Sequence, residues 1–243
     1  MAGPERRPIR LNFWMTVCAI PALMLLIGLG VWQLQRLEWK EALIAERTAR
    51  LSQPAIDVSR VPAEGWKEFE LRRVRLAGRF LHDRSLALVN RTHKGRPGVH
   101  VFTPLVLSDG SGIVLVDRGW APSEKDRHPG ELTLPAGELT LDGVLRTGGR
   151  PGPWTPDNEP AKKVWFYPDA PAMAAALGLE RVRPYIVEAG PTPAGSGYPF
   201  GGQIEIQLVN NHLQYALTWF GLAATLVAIF VLYHVRRRQE SAD

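Results

Sequence analysis

Two long stretches of this 243-residue chain contain no Asp, Glu, Lys or Arg, and they decide most of what it can fold into. The first runs from Leu11 to Gln35, with an apolar core from Phe13 to Trp32. The second runs from Ile206 to Val235, with its apolar body at Tyr215–Tyr233. About twenty apolar residues rising about 1.5 Å each match the roughly 30 Å of hydrocarbon in a bilayer. A soluble core helix rarely needs so long a charge-free run. A cleaved secretory signal would have an apolar region about half as long, ending in small residues at a cleavage site. Here Gly28-Leu-Gly-Val-Trp-Gln33 follows, with no A-x-A before Trp32. Trp14, Trp32, Tyr215, Trp219 and Tyr233 lie near the run ends, where interfacial aromatics belong. The sequence predicts two transmembrane helices, over 11–35 and 210–235.

Charge sets their direction. Arg6, Arg7 and Arg10 precede the first run, and Arg236, Arg237 and Arg238 follow the second. The positive-inside bias then puts the tails 1–10 and 236–243 in the cytoplasm and the segment 36–209 on the opposite face. This segment is close to electroneutral: the stretch 36–212 holds 23 of the 29 basic and 21 of the 24 acidic residues. A balanced domain offers no basic stripe to nucleic acid. The pI of about 9.6 reflects the tails, and hence topology. One cysteine, Cys18, lies inside the first run, so neither an intramolecular disulfide nor a CxxC copper or thiol-exchange site is possible.

After Trp32 the helical pattern continues: Leu34, Leu37, Leu43 and Ile44 alternate with Arg36, Lys40, Glu41, Glu46 and Arg47. The first helix is expected to leave the bilayer and run to about Leu51, before Ser52-Gln-Pro54. A Pro-bearing connector leads to Gly65. Strand-like runs follow at Arg73–Leu81, Ser85–Arg91, Val99–Leu107, Ile113–Asp117, Leu139–Arg146, Arg183–Ala189 and Gly202–Ile206. Only Asp169–Leu177, ended by Gly178, reads as a further helix. The expected fold is two transmembrane α-helices flanking an extracytoplasmic α+β domain, mainly antiparallel β, curled or closed into a barrel.

No nucleotide loop, zinc-protease motif or nucleophile elbow is present, so nothing nominates an enzyme. His212 is the residue of interest, in Val209-Asn-Asn-His-Leu-Gln-Tyr-Ala-Leu-Thr-Trp-Phe220 at the outer mouth of the second helix. A neutral imidazole can supply an axial nitrogen to haem iron. At helical spacing Tyr215 and Trp219 share its stripe. On the facing end of the first helix Trp32, Arg36 and Trp39 fall on one face, and Arg36 and Lys40 could pair with propionate carboxylates. The topology brings these two helix ends to the same depth. The plainer reading has aromatic belt anchors, cations snorkelling to headgroups and a histidine that merely begins a helix. His82, His93, His100 and His128 show no ligand-like spacing, and His234 reads as an interface residue among arginines.

Several segments, taken in order, resemble the surfeit locus protein one family. They are Gly30-Val-Trp-Gln-Leu-Gln-Arg-Leu-Glu-Trp-Lys40, Gly78-Arg-Phe80, Phe102-Thr-Pro-Leu105, Val114-Leu-Val-Asp-Arg-Gly-Trp-Ala-Pro122, Pro184-Tyr185 and Asn210–Phe220. The resemblance covers nearly the whole chain. It implies a non-enzymatic assembly factor for cytochrome c oxidase that binds haem A and aids its insertion into subunit I. Its partners would be that subunit, the haem A synthesis machinery and membrane lipid. It implies His212 as the haem iron ligand, and the co-location set by topology would put Tyr215, Trp219, Trp32, Arg36 and Lys40 around the cofactor. A cofactor-free scaffold for apo-subunit I is the alternative, with Arg118 and Trp120 as partner contacts. The short N-terminal tail without an Arg/Ser-rich leader favours a bacterial inner-membrane member.

Overall fold

The computed structural model describes residues 13–62, 64–126, 128, 130–149, 151–192, 197–203 and 210–240. The chain divides into two compact units, residues 1–46 with 207–243, and residues 47–206.

The first unit is a pair of helices, α1 (Phe13–Ser52) and α3 (His212–Glu240). The short helix that intervenes in sequence, α2 (Ala170–Ala176), belongs to the other unit. Both long helices are apolar enough over 18 residues to cross a membrane, and few of their residues are buried. Gln33 meets His212 while Gly30 meets Phe220, so the two helices run antiparallel. The less exposed positions of α1 include Ala19, Leu23, Leu26, Gly30, Gln33, Leu37, Lys40 and Ile44. Those of α3 include His212, Ala216, Trp219, Ala223, Leu226 and Phe230. Steps alternating between three and four residues form the narrow seam of a left-handed helix pair. Gly30 is required there: a Cβ on it would lie 2.5 Å from the Phe220 ring. Arg236 and Arg237 are exposed at the far end of α3, while the N-terminal arginines lie outside the described residues.

The second unit is built on a seven-stranded sheet in the order β1-β2-β6-β7-β5-β4-β3, closed by an extra β2–β4 pairing. The strands are β1 (Ile56–Asp57), β2 (Arg73–Phe80), β3 (Leu86–His93), β4 (Arg96–Leu107), β5 (Ile113–Pro122), β6 (Leu139–Arg146) and β7 (Val182–Ala189). Five of them, β2-β6-β7-β5-β4, make the ring. Directions must alternate around an antiparallel ring, so five strands cannot close without a parallel pair. That pair is β5–β7, the other four ring contacts being antiparallel. The expected mainly antiparallel barrel is present, with this one parallel pair in its ring. Closure between β2 and β4 involves Gly78, Arg79 and Phe80 opposite Leu107, Val106 and Leu105. Gly78 permits it, since a Cβ would strike the Val106 carbonyl. The remaining length of that β2 edge is capped by β1, which pairs parallel to it at Ile56–Val74 and Asp57–Arg75. The connector expected after Pro54 thus contributes a short strand, too brief for any alternation to show.

Two cores follow from the closure. Val74, Leu76 and Phe80 alternate with exposed residues along β2 and fill the barrel with Leu105, Val114, Val116, Leu145, Tyr185 and Val187. Outside the ring, Leu86, Leu88, Phe102, Leu115 and Ile186 pack against Trp165 and against Ala170 and Met173 of α2. Strand β5 therefore faces apolar surroundings on both sides and shows no period of two. Asp169 caps α2 by accepting from the Ala172 N–H at 3.0 Å.

Strands β3 and β4 run further than their hydrophobic patterns suggest. They meet at a two-residue turn in which Lys94 (φ 49°) and Gly95 (φ 78°) both take left-handed conformations. Strand β5 likewise continues past Asp117, through a register shift opposite His100 and Phe102. There Gly119 has φ 106°, and Trp120 exchanges backbone hydrogen bonds with Phe200 at 3.0 and 2.7 Å. Of the strand expected at Gly202–Ile206, Gly202 and Gln203 have no regular structure and the other positions lie outside the described residues.

Gly119 is a strict requirement of this arrangement: a side chain would collide with the Phe200 carbonyl, at a backbone angle L-residues rarely adopt. Gly119→Ala is expected to cost at least about 2 kcal/mol, read as a fall of roughly 5 °C in the thermal midpoint of the domain.

Candidate functional site: a polar break in an apolar helix seam

Gln33 and His212 are polar side chains that meet at the seam, one turn after Gly30 on one helix and at the start of the other. Gln33 is buried, at 9% exposure, and His212 is half-buried. The His212 Nδ1–H donates to Gln33 Oε1 at 2.7 Å. An amide oxygen can only accept, so in this arrangement Nδ1 carries a proton, and in the neutral ring Nε2 holds the lone pair. Nε2 makes no hydrogen bond among the described residues. One ring nitrogen is thus held and the other is available to an incoming electrophile or metal.

The remaining expected residues distribute around this pair. Trp219 is half-buried, one heptad after His212 on the same stripe, whereas Tyr215 is 55% exposed and lies off it. Trp32 and Trp39 are each 52% exposed. The Arg36 guanidinium lies 4.0 Å from the centroid of the Trp39 ring, a cation–π contact that holds it against the first helix. Lys40 is half-buried, in phase with Gln33 and Leu37. The expected grouping of Trp32, Arg36 and Trp39 on one face is present, flanking the seam. Asn210 and Asn211 precede the helix, and the Asn211 carbonyl accepts from the Tyr215 N–H at 3.2 Å. At the other end His234 is 6% exposed, with Nδ1–H donating to the Phe230 carbonyl at 2.7 Å. It is a packed residue of the helix, held by its own preceding turn.

The domain residues expected to contact partners are buried. Trp120 is 2% exposed and Arg118 8%. Trp120 stacks with Phe200 and meets Tyr198 edge-on. Arg118 donates to the Thr133 carbonyl and lies 5.1 Å from the Phe80 ring centroid, and burial pushes its guanidinium down to about 10. As folded, neither side chain presents a contact surface; both pack the barrel rim.

A second polar cluster lies on the outer face of the barrel. Asp117 and Glu188 are directly opposite each other on β5 and β7. Like charges so placed repel, and each carboxylate is compensated by its own partner. His100 Nδ1–H donates to Asp117 Oδ2 at 2.8 Å, and the Gly119 N–H donates to Oδ1 at 2.9 Å. Arg146 lies 3.6 Å from Glu188 and 3.3 Å from Glu70. His100, Asp117, Arg146 and Glu188, with Arg91, border a cavity of about 250 Å³ floored by Leu88, Phe102 and Ile186. Spacing along the chain could not reveal the His100–Asp117 pair, because the register of the β4–β5 hairpin makes it. Gln33 was equally invisible, one of two glutamines in an uncharged run; its phase with Gly30 was the one available clue. No group of three or more metal-binding side chains occurs among the described residues.

With this geometry in place, comparison with known proteins assigns the lineage. The SURF1 family model matches residues 20–224, from within the first helix to within the last. The chain belongs to the SURF1 family. It is 34% identical over 229 residues to Surfeit locus protein 1 of Xenopus tropicalis, covering 86% of this chain and 72% of that protein. The Mus musculus protein is 36% identical over 228 residues with the same coverage. The Homo sapiens protein is 34% identical over 216 residues, 81% of this chain and 70% of its own length. The SURF1 match contains both halves of the seam, Gly30–Gln33 and His212–Phe220.

The outer-face cluster gives a pH signature. Burial raises the Glu188 carboxyl above the usual carboxylate range, the Arg146 charge only partly opposing it. The folded state then binds more protons than the unfolded one between pH 4.5 and the raised value. Stability contributed by the protonated group is accordingly lost as pH rises through that window. Asp57, held down by its Ser59 hydrogen bonds, and Asp142, held down by Arg75, act in the opposite sense as pH falls. Glu188→Gln should therefore flatten the decline on the alkaline side and leave the acid limb, with urea denaturation at stepped pH as the measurement.

Proposed function

We propose that this SURF1 family protein is an assembly factor for cytochrome c oxidase that carries haem A at the mouth of its helix pair and helps place it in subunit I. The observation that carries the reading is His212, an imidazole at the start of an apolar helix with Nδ1 engaged and Nε2 open. Neutral imidazole with one nitrogen fixed is the donor that haem iron takes.

The surrounding residues fit the cofactor's other features. Trp219 offers a half-buried aromatic face and Tyr215 and Trp32 exposed ones, suited to a flat macrocycle. Arg36 and Lys40 supply cationic groups for propionate carboxylates. On this reading both chain ends are cytoplasmic, the barrel domain lies across the membrane in the periplasmic or equivalent space, and lipid faces the exposed sides of both helices. The iron supplies the coordination chemistry; this chain binds, orients and shields. Held by His212 alone at an open mouth, the cargo would be able to leave, as a carrier requires.

Haem content decides the matter. His212→Ala, purified from cells that make haem A, is expected to retain at least about tenfold less haem than wild type, since even outer-shell changes cost 10–100-fold. Equal haem with an identical spectrum would exclude His212 as the ligand. Undiminished co-purification with subunit I from cells lacking haem A would instead support a cofactor-free scaffold.

A further inference from the structure

A buried glutamine in the seam needs its own explanation. In hydrocarbon a carboxamide costs free energy unless its groups are paired, and intramembrane polar side chains are therefore unusual. Gln33 is placed one turn after Gly30, the residue that lets the Phe220 ring lie against the first helix. His212 and Phe220 are two turns apart on the other helix. The close approach at Gly30 thus fixes where Gln33 sits along the partner helix, with its oxygen on Nδ1 and not on Nε2.

We infer that Gln33 is a positioning residue that selects the Nδ1–H tautomer of His212, leaves Nε2 without a partner, and makes the ring a weakly donating and hence releasable ligand. This rests on the reading of His212 as a haem ligand. An uncharged amide acceptor orients an imidazole as well as a carboxylate does. It withdraws less proton character from Nδ1–H, so the ring is a weaker donor to iron. A storage or catalytic site gains from a carboxylate in this place. A carrier gains from the amide, because its cargo must be given up.

The test uses the protein in detergent, with Gln33→Met, Gln33→Glu and His212→Ala as variants. Gln33→Met keeps the length and bulk of the side chain without the acceptor. Gln33→Glu restores an acceptor and adds charge. Nitrogen NMR of histidine-labelled, haem-free protein reads the ring directly. Wild type and Gln33→Glu should show His212 protonated at Nδ1, and Gln33→Met a mixture of both tautomers. Haem A is then loaded and its transfer to an apo-acceptor followed by absorption. Gln33→Met should bind about tenfold more weakly, and Gln33→Glu should release about tenfold more slowly.

A single Nδ1–H tautomer in Gln33→Met would overturn the inference, as would release from Gln33→Glu at the wild-type rate. If wild type and His212→Ala took up haem equally, the ligand reading itself would fail. The NMR arm would still report whether Gln33 governs the ring.

Discussion

Apolar helices in lipid gain almost nothing by burying apolar surface against each other, because the surrounding chains are equally apolar. Association must come from close fit and from polar groups with no better partner, and the helix pair of this protein has both. Gly30 removes the side chain that would hold the helices apart, and Phe220 fills the space. Gln33 and His212 then satisfy one another at 2.7 Å. The second contact depends on the first, since a hydrogen bond of that length between two helices requires their register to be set. Ala216, 1% exposed, lies midway between His212 and Phe220, and Ala223 extends the same small-residue stripe. Packing and polarity act on one seam, and the chemistry attributed to His212 is a by-product of how the seam is held.

The barrel domain is governed by another constraint, the parity of its ring. Closing five strands forces the parallel β5–β7 pair. That pair places Asp117 opposite Glu188 on the outer face, where a fully antiparallel sheet would have separated them. His100 and Arg146 compensate this consequence of topology, and burial, with a smaller contribution from Asp117, keeps the Glu188 carboxyl raised. The glycines of the barrel follow from the same closure. Gly78 stands where β2 and β4 meet, and Gly119 where β5 turns beneath the Phe200 backbone. Arg118 and Trp120, the conspicuous pair flanking Gly119, are drawn inward by that turn. Residue types common at interfaces serve here as rim packing.

Hydrophobic pattern and charge made much of this visible beforehand. The first helix was readable to within a residue or two of Ser52, since charge-free length and then an amphipathic continuation leave no alternative. Strands β2, β6 and β7 were readable for the opposite reason: alternation and flanking Gly or Pro are local. Strands β3, β4 and β5 were underestimated where Lys94-Gly95 and Gly119 carry the chain through conformations that look like breaks. The short β1 had no pattern to show. At the site, the prominence of His212 and the common face of Trp32, Arg36 and Trp39 were legible from helical spacing. The role of Gln33 was not, and neither was the exposure of Tyr215, which spacing alone had grouped with the histidine.

The division has a physical basis. Local sequence alone marks the two long apolar helices, the arginines beside them, the β-rich middle and the segments that identify the family. Each of these is written in neighbours within a turn or a strand. Tertiary structure alone decided which side chains meet across elements: the His212 ring with Gln33, the His100 ring with Asp117, Asp117 with Glu188. Such meetings depend on register between segments up to 179 residues apart, and register is chosen by packing at glycines and by closure of the ring.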